Sequence, residues 1–273
     1  MFNRVVMISG APRSGTSWVG QVLDSSPITA YRFQPLFAKA FKDFLDIHSD
    51  RNNYFDFFKR VYDSADDFLL QTERRNSGIY PVFKNKLPKP EILAIKMVRY
   101  HFLLPKMLQF FNDTLKIICV LRHPCGAINS WINTPKEFHT DADPLKEWNL
   151  AAFRNKGKPE EYWGYDGWKR ATDIFINIKQ QFDDKVYFLI YEKMVSNTEN
   201  AVENLFDFLD LPLSKQTVDF IKASNQVNND DPYSVYKDKR VMDKWKKELD
   251  PVIKENIIRK ATRHYSKLLE QFE

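Results

Sequence analysis

The chain has 273 residues, 43% of them hydrophobic and 28% charged, which excludes a disordered or fibrous protein and fits one α/β domain spanning 1–273. Lysine and arginine total 41 against 36 acids, a net charge of +5 that suits an anionic ligand and is too small to point to nucleic acid. No apolar run reaches the roughly 18 residues of a membrane span, so no integral membrane anchor is expected.

Val5–Ser9 is a short apolar run that reads as a strand. It lies so near the first residue that no signal peptide is expected before it, and a cytoplasmic location follows as an expectation. The two cysteines, Cys119 and Cys125, fit free thiols in a reducing compartment. After a glycine-containing turn, Ser17–Leu23 reads as a helix. Further strand-like runs are Ile92–Met97, Lys116–Leu121 and Val186–Ile190, with helical patterns at Ala201–Leu209 and Pro251–Leu269. Strands separated by helices predict a mostly parallel sheet of four or five strands with helices on both faces. Residues 36–90 and 134–168 break this rhythm. Both are aromatic-rich, the second carrying Trp148, Tyr162, Trp163, Tyr165 and Trp168, and both are expected to pack over the sheet as walls of a substrate pocket.

The most informative segment is Gly10-Ala-Pro-Arg-Ser-Gly-Thr-Ser-Trp18, placed after a strand and before a helix. There the loop N–H groups and the helix N-terminus converge on one spot and favour a phosphate or sulfate. Gly15 permits the tight turn, Ser14, Thr16 and Ser17 add hydroxyls, and Arg13 adds a fixed charge. The spacing of Gly10, Gly15 and Ser17 matches the nucleoside-triphosphate loop G-x-x-x-x-G-K-[ST], but Thr16 stands where that loop has lysine. A magnesium-dependent kinase or ATPase is therefore disfavoured, since the lysine is the group that reaches the β- and γ-phosphates.

GAPRSGTSW resembles the 5′-phosphosulfate loop of the sulfotransferases, which take a sulfuryl group from 3′-phosphoadenosine-5′-phosphosulfate (PAPS) and release adenosine 3′,5′-bisphosphate (PAP). The resemblance continues at Arg122-His-Pro-Cys-Gly-Ala-Ile-Asn-Ser130, which is similar to the family's 3′-phosphate segment. Arginine offers a planar fork to a phosphate there, and Pro124 suits an early helical position. It also implies a catalytic role for Lys96 in Ile95-Lys-Met-Val-Arg99, a place near the adenine for Tyr191 in Ile190-Tyr-Glu-Lys-Met194, and one against it for Trp18. Lys239 and Arg240, followed by Trp245, look like the late basic loop that closes on the 3′-phosphate. The implied fold is a single P-loop-type domain. The implied reaction passes a sulfuryl group to a hydroxyl or amine of a small-molecule, lipid or glycan acceptor, with no metal required. Arg13 and Lys96 would neutralise charge as the bond to PAP breaks.

The sequence departs from the family at the general base. Relatives carry histidine two residues after the strand lysine, or glutamate in a Glu-Pro pair; here the residues are Val98 and Gln34. Remaining candidates are His101, best placed by position, and His48, Asp43, Glu137, His139 and Asp141. An acceptor that needs little help, or a protein that binds PAPS or PAP without turnover, are the alternatives. Gln34 is expected to line the acceptor site in each case.

Overall fold

A computed structural model describes residues 2–226, 234–235 and 242–272. Its frame is a five-stranded sheet in the order β2-β3-β1-β4-β5, every pair parallel. The strands are β1 Arg4–Ser9, β2 Thr29–Phe33, β3 Ile92–Met97, β4 Leu115–Leu121 and β5 Val186–Ile190. Four of them are the apolar runs read from the sequence. β2, with the sequence TAYRF, carries a threonine and an arginine and gives no such run. The Arg32 guanidinium donates to the carbonyls of Val61 (3.0 Å) and Tyr62 (2.6 Å), which makes a charged residue tolerable on this edge strand.

Alternation along each strand divides the core between two layers. Val5 and Met7 of β1, with Leu93 and Ile95 of β3, face one layer; Val6 and Ile8, with Ile92 and Ala94, face the other. The first layer packs helices Arg51–Asp63, Leu104–Phe111, Pro124–Ile132, Gly164–Gln181 and Pro251–Leu269. The second packs α1, Thr16–Asp24, with Thr198–Phe208 and Lys215–Gln226. The long final helix keeps the predicted span but breaks at Tyr265, where φ is −133° and ψ 28°.

Parallel strands send all their carboxyl ends to one edge, and the order reverses about β1, so a crevice opens there. The loop after β1, Gln34 after β2, Val98 after β3, Arg122 after β4 and Tyr191 after β5 all meet at that edge.

One buried ion cluster ties the 72–90 segment to this frame. Asp24, at the end of α1, receives Arg75 Nη2 at 2.7 Å and Lys86 Nζ at 3.1 Å. Lys86 also donates to the carbonyls of Asp24 (2.6 Å) and Ser26 (3.0 Å), and burial pulls its pKa down. Removing the Asp24 charge leaves two half-buried cations without their counter-ion. Asp24→Asn is therefore expected to cost about 3 kcal/mol in urea unfolding; a change within a few tenths would show that the cluster does not hold the segment.

Candidate active site

The loop after β1 is built around left-handed backbone. Arg13 has φ 68° and Gly15, the residue before α1, has φ 93°. A Cβ on Gly15 would lie 2.8 Å from the Tyr191 ring, so glycine is needed both for conformation and for space. The turn is closed by Ser14 N–H donating to the Ala11 carbonyl at 3.2 Å. Ser14 is buried, yet its Oγ has no hydrogen-bond partner among the described residues.

The second segment begins where β4 ends. Arg122 Nη1 donates to the Arg13 carbonyl at 2.7 Å, and Arg13 Nε donates to Ser130 Oγ at 3.2 Å. Each segment thus holds the other's arginine. The Arg122 guanidinium lies 4.3 Å from the centroid of the Tyr191 ring, and its buried Nε has no partner among the described residues. His123 caps helix Pro124–Ile132, its Nδ1 accepting from Cys125 N–H at 3.2 Å, and Trp245 stacks on its ring at 4.5 Å and 8°. The stack brings in Lys244 and Glu248, and Asn129 Nδ2 donates to Glu248 Oε2 at 2.9 Å. Lys239 and Arg240 lie outside the described residues.

Lys96, near the end of β3, is 5% exposed and reaches Ser17 Oγ at 3.1 Å. Its Nζ sits 4.3 Å from the Phe33 ring centroid, and Arg74 lies over the same ring at 5.2 Å. Burial pulls the ammonium well below its usual pKa; Arg74, Arg13 and Arg99 push the same way, and Glu137 opposes them. An anion bound beside Lys96 would favour its charged form and oppose that shift. Gln34 takes a left-handed conformation (φ 44°), and its N–H donates to the Lys96 carbonyl at 2.9 Å.

One cleft of about 680 Å³ joins these parts. Arg13, Gly15, Thr16, Ser17, Trp18, Gln34, Lys96, Arg122, Ser130 and Tyr191 all line it, as does Val98. Trp18 is steadied by its Nε1–H donating to Ser224 Oγ at 3.0 Å. The two irregular stretches supply the far walls: Phe37, Phe68 and Arg74 from one, Glu137, Arg154 and Trp163 from the other. Sequence reasoning did not single out Glu73, Arg74, Arg154 or Glu248. They sit in polar stretches with no local motif, and only the fold turns them inward.

His101 does not line the cleft. It is fully buried, its Nδ1 shares a hydrogen bond with Ser9 Oγ at 2.8 Å, and Tyr162 and Phe175 pack on its ring. Asp43, His48, His139 and Asp141 are also absent from the lining. Cys125 is buried with its thiol pushed up to about 12, as a packed side chain would be. No group of three or more His, Cys, Asp or Glu suited to a metal occurs among the described residues, and none of their helices is long and apolar enough to cross a membrane.

Burial lowers the pKa of His101 to about 3. An unfolded histidine titrates near about 6.5, so the unfolded chain takes up this proton first. The contribution to stability is whole above about pH 6.5 and is lost as pH falls toward the folded value. Imidazole NMR shifts are expected to show His101 neutral down to about pH 4.5; a midpoint near about 6.5 would place the ring in solvent.

Residues 3–273 match the family described as the sulfotransferase domain. Among curated proteins no sequence matches significantly. Similar solved structures include mouse sulfotransferase SULT7A1 complexed with PAP, at 15% identity and TM-score 0.59, covering 100% of this chain and 90% of that one. A sulfotransferase from Alicyclobacillus acidocaldarius has 15% identity and TM-score 0.55, covering 100% and 96%. The sulfotransferase domain of the curacin biosynthetic pathway has 15% identity and TM-score 0.55, covering 96% and 97%. At such identities the likeness is one of fold.

Proposed function

The chain belongs to the sulfotransferase domain family, and from that premise we propose that it transfers a sulfuryl group from PAPS to a hydroxyl or amine of a small-molecule, lipid or glycan acceptor. The observation that carries this reading is the interlock of the two anion segments, Arg122 Nη1 on the Arg13 carbonyl and Arg13 Nε on Ser130 Oγ, opening into the same cleft as Lys96. The donor supplies an activated sulfuryl group, and no metal enters the proposal.

The chain's own groups fit such a nucleotide. Ser14 Oγ and Arg122 Nε, two of the buried polar atoms without a described partner, lie one in each anion segment. An unmet buried donor is costly, and a phosphate oxygen would satisfy it. The loop amides, Ser14, Thr16 and Ser17 would hold the 5′-phosphate end; Arg122 and Ser130 would hold the 3′-phosphate. Trp18 and Tyr191 line the cleft beside them and would flank the adenine. Lys96 and Arg13 would offset the negative charge that builds on the leaving oxygen, and fixed charges of this kind act strongly because they need no reorganisation. The mouse relative of the same fold is described as a PAP complex, which supports the nucleotide assignment.

A second reading, a protein that holds PAPS or PAP without turnover, draws on Gln34, an amide lining the cleft where relatives carry a carboxylate.

Thermal unfolding tests the proposal. A ligand of the native state adds about 2.7 kcal/mol of stability at a hundredfold excess over its Kd. PAP is expected to raise the midpoint more than ATP with magnesium does. Stabilisation by ATP with magnesium alone would overturn the reading in favour of a kinase-like enzyme.

A further inference from the structure

Sulfuryl transfer to a hydroxyl requires that its proton go somewhere as the oxygen attacks sulfur. Neither Gln34 nor Val98 accepts a proton near neutral pH, and His101 is sealed in the core against Ser9. Among the described residues three carboxylates line the cleft, Glu73, Glu137 and Glu248. Glu248 is held by Asn129 Nδ2 at 2.9 Å, beside the 3′-phosphate segment and so at the nucleotide end. Glu73 lies on the short helix Thr72–Asn76, before the Arg74 that covers Phe33.

Glu137 is placed differently. It follows helix Pro124–Ile132 through a tight turn. Thr134 Oγ1 donates to the Ser130 carbonyl at 2.6 Å, Glu137 N–H donates to the Thr134 carbonyl at 2.8 Å, and Trp131 Nε1 donates to the Glu137 carbonyl at 3.3 Å. The stretch that carries Ser130 to Arg13 therefore also carries Glu137, which fixes its backbone relative to the two anion segments. Arg154 Nη2 meets Glu137 Oε2 at 3.4 Å, and Arg154 is itself spread over Trp163 at 5.0 Å. Tight charged N–H···O bonds run about 2.7–2.9 Å, so Arg154 acts on this carboxylate as an orienting charge at slightly longer range. The field at Lys96 is otherwise one of arginines, and Glu137 is the acid that opposes them there.

Resting on the sulfuryl-transfer reading, we propose that Glu137 is the general base, with Arg154 as its positioning residue. The acceptor's O–H proton passes to the Glu137 carboxylate while the oxygen's lone pair forms the new S–O bond. The bond from sulfur to the 5′-phosphate oxygen breaks and leaves its electron pair on PAP. Lys96 and Arg13 face that departing charge, and Glu137 faces the incoming nucleophile.

The test follows sulfuryl loss from labelled PAPS to water and to a series of phenols from phenol to 4-nitrophenol. It uses the unaltered chain and the variants Glu137→Gln, Glu137→Asp and Arg154→Gln. General-base removal is expected to lower kcat about 10²–10⁴-fold toward phenol or water. The loss should shrink toward 4-nitrophenol, whose proton leaves readily; Asp should retain part of the rate, and Arg154→Gln should show a weaker form of the same trend. PAP should stabilise every variant as it does the unaltered chain, and phenol should add its usual increment on top of PAP. A loss equal across the phenols, or a Glu137→Gln protein that no longer responds to phenol, would overturn the assignment and make Glu137 a wall residue. An unaltered chain that PAP stabilises but that moves no sulfuryl group in any arm withdraws the transfer reading and this base together. An unaltered chain that PAP does not stabilise withdraws the nucleotide site itself.

Discussion

The site depends on one reciprocal contact. Arg13 has a left-handed backbone, and Arg122 donates to its carbonyl at 2.7 Å. Arg13 in turn donates its Nε to Ser130 Oγ at 3.2 Å, at the far end of the segment that begins with Arg122. A non-glycine residue with positive φ costs energy unless its surroundings over-determine it, and such residues gather at functional sites. Here the surroundings are the second anion segment itself. The two motifs, more than a hundred positions apart in the sequence, are thereby one structural unit, and the sheet order that puts β4 beside β1 is what makes the contact reachable.

That unit creates an electrostatic problem. Arg13, Lys96, Arg74, Arg99, Arg122 and Arg154 all line one cleft. Crowded, partly desolvated cations repel one another, and Lys96 registers this as a pKa pulled well down by burial and by its arginine neighbours. Several of the charges are stabilised locally: Arg99 pairs with Glu161 at 2.7 Å and lies over Phe37, and Arg154 leans on Trp163. An anionic nucleotide would relieve the rest, so binding and the charging of Lys96 are coupled in the same direction. Glu137 opposes these cations at Lys96, and under the proposal above it supplies what a purely cationic wall lacks: such a wall favours an ionised hydroxyl but offers no group to take its proton.

Much of this was legible in the residues. Strands buried on both faces read as apolar runs, and glycine, arginine and hydroxyls between a strand and a helix carry an unambiguous local chemistry. β2 was not legible as such a run because an edge strand can keep Arg32 by bonding it to the carbonyls of Val61 and Tyr62. His101 looked well placed because sequence distance from Lys96 is short, but distance along the chain does not say which way a side chain turns once β3 ends. The backbone turns left-handed at Tyr100, φ 58°, and His101 enters the core beneath Ser9. Arg154 and Glu73 carried no signal at all, since only tertiary packing brings them to the cleft. Glu137 was one acid among several until the turn from Ser130 placed it in the cleft.

The central claim is that the two anion segments form one nucleotide site, and a thermodynamic cycle by calorimetry tests it most directly. The affinities of PAP and adenosine 5′-phosphate are compared in the unaltered chain and in Arg122→Gln. If Arg122 receives the 3′-phosphate, that phosphate contributes tenfold or more, about 1.4 kcal/mol, in the unaltered chain and close to nothing in the variant. An equal contribution in both proteins would contradict the account, because the 3′-phosphate would then be bound elsewhere.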